Sequence, residues 1–174
     1  ALQKENISVI ALKGQVLSQY LFGKIAKRSS GDVDLLIKFS DLTKAGKILQ
    51  GLGYTPDVFA NNKDITYTKS QEFPIELHWN LISGIKIPNI FENIEYENLM
   101  NLKIPRLSAK NTFLYLCLHG SKHKWNKLFW LHDAATFITN EKADPNLLYK
   151  TALSYGLERV VLQTFVLLNT LYDI

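Results

Sequence analysis

A single cysteine, Cys117, stands among 174 residues, so no disulfide closes within the chain and no thiolate cluster is available to bind zinc. Long apolar runs are missing too. Nothing approaches the roughly 18 to 20 unbroken apolar residues of a membrane span, and no charged-then-apolar leader opens the chain. A reducing cytoplasm and the absence of a membrane partner are the expectation. The excess of either charge is small as well. Twenty Lys and Arg against 16 Asp and Glu leave a net charge of +4, spread without a dense basic run. That suits a small anion such as a nucleotide and argues against extensive nucleic-acid binding. There is no internal repeat and no low-complexity segment. What the chain does have is 47% hydrophobic content, enough for a full core in one domain or one plus a small appendage. It begins with Ala1 rather than Met, and Leu167 to Ile174 ends in an uncapped apolar helical pattern. Residues missing at either end are therefore expected.

The most informative stretch is Arg28-Ser29-Ser30-Gly31-Asp32-Val33-Asp34-Leu35-Leu36-Ile37. Side chains alternate along a strand, so Asp32 and Asp34 share one face, about 6.5 to 7 Å apart, while Val33, Leu35 and Ile37 take the other. Two anions held side by side repel, and a divalent cation turns that repulsion into attraction. Alone, the pair is equally a solvated face of an edge strand. The preceding residues favour the first reading. Ile7 to Leu12 is a short apolar strand, Lys13-Gly14 a turn, and Gln15 to Phe22 has helical spacing. A glycine there lets backbone N–H groups approach a phosphate, and the helix N-terminus adds partial positive charge.

The organisation changes near residue 105. Before it, strands alternate with helices. A helix from about Leu42 to Leu52 ends at Gly53, and Tyr54 to Ala60, Ile65 to Lys69 and Phe73 to Trp79 read as strands, with Asn61-Asn62 the first turn. Residues 81 to 106, with Pro88 and Pro105, read as an ill-defined connection with a short helix around Ile94 to Leu102. From Ser108, a candidate cap, the pattern is helical: Phe113 to Lys122, Leu128 to Thr139, Asn146 to Tyr155 and Leu157 to Leu171. The predicted class is α+β, a mixed sheet with helices packed on it, followed by a helical bundle.

The segments ALKGQVLSQYLFG, RSSGDVDLLI, PIELHW and HGSKHKWNKLFWLHDAA resemble successive blocks of poorly characterised bacterial nucleotidyltransferases of the DNA polymerase beta superfamily. The resemblance runs from about Ile10 to about Phe137, with Gly14-Gln15 where the wider superfamily has Gly-Gly or Gly-Ser. It implies a catalytic core over residues 1–106, a helical subdomain over 107–174, and two-metal transfer of a nucleoside monophosphate from an NTP with release of pyrophosphate. Asp32 and Asp34 would hold two Mg²⁺ ions, with Mn²⁺ as a substitute. Such a site needs a third carboxylate. Glu76 is the best candidate, because Ile75 and Leu77 point one way while Glu76 and His78 point the other; read singly, it is a surface acid on a half-exposed hairpin. Lys13, Gly14, Arg28, Ser30 and Gly31 are the candidate phosphate contacts.

In the helical half, His119 and His123 lie four apart on one face, a spacing that suits a metal but lacks an evident third ligand. Lys122, His123 and Trp125 are candidates for phosphate contact and base stacking, against the alternative that the tryptophans pack a core. Asp133 reads as a structural partner of His119 or His123. The acceptor, whether a small molecule, a protein side chain or an RNA end, is not selected by any residue, and neither is the oligomeric state. An inactive nucleotide-binding or partner-binding module on the same fold remains the alternative.

Overall fold

The computed structural model describes residues 1–27, 30–57, 64–81, 85 and 87–174. They form two compact units, Ala1–Leu107 and Ser108–Ile174.

The first unit is built on a mixed sheet. In chain order its strands are β1 (Val9–Ala11), β2 (Val33–Ile37), β3 (Thr55–Pro56), β4 (Asp64–Thr68), β5 (Ile75–His78), β6 (Ile94–Leu99) and β7 (Leu102–Leu107). Their order across the sheet is β3-β4-β5-β2-β1-β7-β6. β2 runs antiparallel to β1 and parallel to β5. Helix α1 (Gly14–Phe22) follows β1, and α2 (Leu42–Gly51) follows β2.

Alternation decides the two faces. Ile37, Tyr67 and Leu77, with Leu35, Ile65 and Ile75 at their margins, pack against Ala45 and Leu49 of α2. Each such side chain taken fully from water contributes about 1.5–3 kcal/mol. Tyr67 needs Gly46 opposite it, since a Cβ at 46 would stand 2.5 Å from the phenol oxygen. Val16 of α1 joins Ala11 and Leu99, with Leu35 and Ile104 alongside, on the same side of the sheet. Residues at the intervening positions, Asp34 and Leu36 on β2 and Glu76 and His78 on β5, therefore point to the other face.

The α+β class expected from the sequence is what the structure has, but several local expectations need correction. The predicted helix around Ile94 to Leu102, in the supposed ill-defined connection, is instead the β6–β7 hairpin, in register from Ile94↔Leu107 to Leu99↔Leu102. Met100 and Asn101 both take positive φ (48° and 64°), the requirement of a two-residue turn whose twist matches its strands. Pro105 misleads because it removes a ladder donor, yet β7 meets β1 at one registered pair, Ala11↔Arg106, so little of that ladder is lost. Arg106 anchors the hairpin. Its guanidinium lies 2.9 Å from Glu95 and 3.6 Å from Glu97, and stacks 3.5 Å from the ring centre of Tyr20 on α1.

Two predicted strands are shorter: Ile7 to Leu12 reduces to β1, and among the described residues Tyr54 to Ala60 reduces to β3. The Asn61-Asn62 turn lies outside the described residues.

The second unit contains α3 (Ala109–Lys122), α4 (Leu128–Glu141), α5 (Pro145–Ser154) and α6 (Glu158–Tyr172). Ser108 does occupy the position before α3, but its carbonyl, not its hydroxyl, receives the first helical bond, from Thr112 N–H at 2.8 Å. Asp144 is a true cap, its carboxylate accepting from Asn146 N–H at 2.9 Å with Pro145 next in line. Phe113 stacks between Phe137 and Phe165, at 5.4 and 5.7 Å. Cys117 is fully buried beside Thr164, and burial pushes its thiol up to about 12.

Candidate active site

The parallel pairing of β2 with β5 places Asp34 opposite Glu76 and Leu36 opposite His78. Partners in a parallel pair share a face, so these side chains meet. One ligand atom each from Asp34, Glu76 and His78 lies within 4.8 Å of the others. His78 Nε2 is 2.9 Å from Asp34 Oδ1 and 3.3 Å from Glu76 Oε2, while its Nδ1 faces Asp64 Oδ2 of β4 at 3.6 Å. Lys13, at the end of β1, brings its Nζ to 2.8 Å from the same Asp34 Oδ1.

Asp34 is thus a fully buried carboxylate with the Lys13 ammonium and the His78 imidazole on one oxygen. Burial would raise its pKa, but the His78 hydrogen bond and the Lys13 ammonium outweigh that and hold it at about 2. His78 shows the complement: burial pulls its imidazole down, yet hydrogen bonds to Asp34 and Glu76 carry it above 6.5. The other oxygen of Asp34, Oδ2, is buried with no hydrogen-bond partner. A buried acceptor left unpaired costs about 1–3 kcal/mol, and a carboxylate oxygen in that condition fits a site meant to grip a cation.

Asp32 sits just before β2, half-buried and outside the set formed by Asp34, Glu76 and His78. Ser30 Oγ donates to the Asp32 carbonyl at 2.8 Å and stands 3.3 Å from its Oδ1. Burial first, then the negative charges of Asp34 and Glu76, raise the Asp32 pKa against the pull of Lys13 and Ser30. It is the member of the acid pair that most needs a positive partner.

Gly14 opens α1 at φ +70°, in the left-handed region that favours glycine. A Cβ there would also come within 3.1 Å of Ser30 Oγ and 3.6 Å of the Asp32 carbonyl, so the bare backbone of the helix start is pressed against the acid-bearing loop. A cavity of about 250 Å³ opens at this junction; its lining is mostly apolar, with Val16, Leu35, Leu99 and Ile104 among it, and Lys13, Gly14, Ser30, Asp32 and Asp34 contribute its polar groups. The backbone N–H groups at the Gly14 helix start and the Lys13 ammonium suit a phosphate, and the acids beside them suit a cation carried with it.

The family model described as uncharacterised nucleotidyltransferase matches residues 1–173. The chain belongs to that family. The resemblance read from Lys13-Gly14, Gly31-Asp32-Val33-Asp34 and Glu76-Leu77-His78-Trp79 is therefore borne out, and solved nucleotidyltransferases share the fold. The lincomycin-bound lincosamide antibiotic adenylyltransferase LnuA superimposes with a TM-score of 0.59 at 16% identity, covering 78% of this chain and 89% of its own. ANT(2")-Ia in complex with adenylyl-2"-tobramycin gives 0.65 at 9% identity, covering 89% and 90%. An antigenic nucleotidyltransferase-like protein from Paracoccidioides brasiliensis gives 0.52 at 15%, covering 79% and 70%. Among curated proteins there is no match.

Within this nucleotidyltransferase, the structure gathers Lys13, Gly14, Ser30, Asp32, Asp34 and Glu76 around one end of β2. Gly31 is exposed in the loop before it. Arg28 lies outside the described residues. Lys122 and His123 belong to the second unit, at the C-terminal end of α3. There the His123 ring sits 4.7 Å from His119 and 5.0 Å from Trp130, within an aromatic cluster. Sequence reasoning left His78 and Asp64 out of the site. The signal for His78 was present, since it alternates with Glu76 toward the acid face; Asp64 was visible only through the β4–β5 pairing, Asp64↔His78. No helix among the described residues is long and apolar enough to cross a membrane.

Proposed function

We propose that this nucleotidyltransferase is Mg²⁺-dependent and moves a nucleoside monophosphate from an NTP to a hydroxyl of a small-molecule acceptor. The observation that carries the reading is the Asp34↔Glu76 register, which gathers Glu76 and His78 at Asp34, a carboxylate whose second oxygen is buried and unpartnered. Asp34, Glu76 and Asp32 are the residues that would hold the metal. Bound there, Mg²⁺ would supply charge neutralisation for the triphosphate and a lowered pKa for the attacking hydroxyl.

The chain's own groups do the rest. Asp34 remains ionised across the physiological range, since its pKa is near 2. The start of α1 at Gly14 offers backbone N–H groups to the phosphates with Ser30 packed beside it, and Arg28, two residues before Ser30 in the sequence, is proposed to join them. The acceptor oxygen forms its bond to the α-phosphorus as the bond from that phosphorus to the bridging oxygen breaks. Pyrophosphate leaves, and the hydroxyl proton passes to Glu76, half-buried beside Asp34. His78, held by Asp64 behind it, fixes the two carboxylates for that exchange. Positioning and charge neutralisation provide most of the acceleration in such transfers. The small-molecule acceptor is supported by the fold relatives, one an antibiotic adenylyltransferase and one complexed with an adenylylated aminoglycoside.

The test is pyrophosphate release from each of the four NTPs with Mg²⁺, in the presence of pooled hydroxyl-bearing acceptors. Metal-dependent release that vanishes in Asp32→Asn and in Asp34→Asn, with the fold retained, supports the reading. Release that persists in both variants refutes it.

A further inference from the structure

We propose that Lys13 is an exchangeable counter-ion: its ammonium occupies the Asp34 carboxylate that a divalent cation would take, and it passes to the triphosphate when metal and nucleotide enter together. The inference rests on the functional reading above.

Three observations lead to it. Lys13 Nζ is 2.8 Å from Asp34 Oδ1, with the two side chains 15% and 0% exposed, so the pair is a sheltered contact rather than a surface one. That single oxygen also takes His78 Nε2 at 2.9 Å, while Oδ2 of the same carboxylate is buried with no partner. One oxygen is doubly occupied and the other bare, so the carboxylate has a free acceptor for a further cation. Finally, Lys13 is anchored beside Asp34 by its backbone. It is the extended residue immediately before Gly14, and the preceding Leu12 N–H donates to the Asp34 carbonyl at 3.0 Å.

The consequences are electrostatic. A divalent ion on Asp34 would place two like charges within a few ångströms of the ammonium, in a partly desolvated site where repulsion is strong. The four-carbon stem of lysine lets the head move without its backbone, and the start of α1 at Gly14, which Lys13 immediately precedes, is where a triphosphate would receive it. Lys13 thus acts as a positioning residue that keeps the carboxylate neutralised until the nucleotide takes its charge. Metal alone binds weakly; metal with nucleotide binds as one unit.

The experiment measures Mn²⁺ binding by electron paramagnetic resonance and nucleotide binding by calorimetry, in the wild-type chain, Lys13→Met and Lys13→Arg. An adjacent charge moves cation affinity by about tenfold or more. Lys13→Met is expected to bind Mn²⁺ about tenfold more tightly without nucleotide and the Mg²⁺–NTP complex more weakly, while Lys13→Arg stays near wild type. In the wild-type chain, acylation of Lys13 read by mass spectrometry should rise when Mn²⁺ is added, a measurement that needs no variant to fold. Wild-type Mn²⁺ binding with no gain in Lys13→Met, or with unchanged labelling of Lys13, overturns the exchange while leaving the metal site standing. No Mn²⁺ binding in any of the three proteins overturns the metal site and the exchange with it.

Discussion

Two histidine-bearing regions of this molecule look alike on paper and differ in kind. In the first unit, His78 stands between Asp34, Glu76 and Asp64, and shares an Asp34 oxygen with Lys13. In the second, His119 and His123 pack edge-on or tilted against each other and against Trp130, with Tyr115 beyond. The second pair has the spacing that suggests a metal, yet among the described residues the set of metal-capable side chains that gathers is the first. Spacing within one helix brings two ligands together cheaply. A usable site needs carboxylates as well, and here those come from separate strands.

The sharpest test of that contrast is to remove one acid at a time. Asp34→Asn should lower turnover by about 10³-fold and cost about 3 kcal/mol of stability in a urea titration, because Lys13 and His78 lose the buried anion between them. Asp32→Asn should cut turnover comparably while leaving stability within about 0.5 kcal/mol of wild type, on the stabilising side, since it relieves repulsion at a partly exposed position. Equal stability losses in the two variants would contradict the different roles assigned to them.

Next comes the histidine comparison itself. His78→Asn should weaken Mn²⁺ binding by about 10–100-fold, whereas His119→Phe should leave it unchanged and alter stability by about 1 kcal/mol. A loss of metal affinity in the His119 variant would erase the distinction between the two regions. Gly14→Ala should cost about 1–2 kcal/mol, since its φ of +70° is strained for any side chain and the added carbon meets Ser30; thermal melts check this.

The remaining tests are those of pH. The Asp34 carboxyl is depressed from 3.8 to about 2, so its contribution to stability is complete above the unfolded value and disappears as pH falls from about 4 toward 2. Cys117 is raised from 9.0 to about 12, so its contribution is intact below pH 9 and is lost as pH rises toward 12. At neutral pH its thiol should react with a disulfide reagent only as fast as the second unit opens, which stopped-time labelling measures.

Local pattern made much of this legible. The helix after Gly14, the Asp-bearing strand, α2 closed by Gly53 and the four helices after Ser108 all follow from periodicity and punctuation. The β6–β7 hairpin did not, because Pro105 speaks against a strand when its neighbours are unknown and Met100-Asn101 is a weaker turn signal than Asn-Gly. The site was legible in part for the same reason. Alternation alone puts Asp32 and Asp34 on one face and Glu76 with His78 on one face. Whether those two faces coincide depends on how β5 docks against β2.

By itself, then, the order of residues determined the period of each element, the side of its own strand on which every acid lies, and the family to which the chain belongs. Tertiary structure decided that Asp34 faces Glu76, that Asp64 stands behind His78, and that Lys13 folds back onto Asp34. The reason is range. Alternation and capping are settled by a few neighbouring residues, whereas a parallel pairing between segments some forty residues apart is set by the fit of Leu35, Ile37, Ile75 and Leu77 against α2.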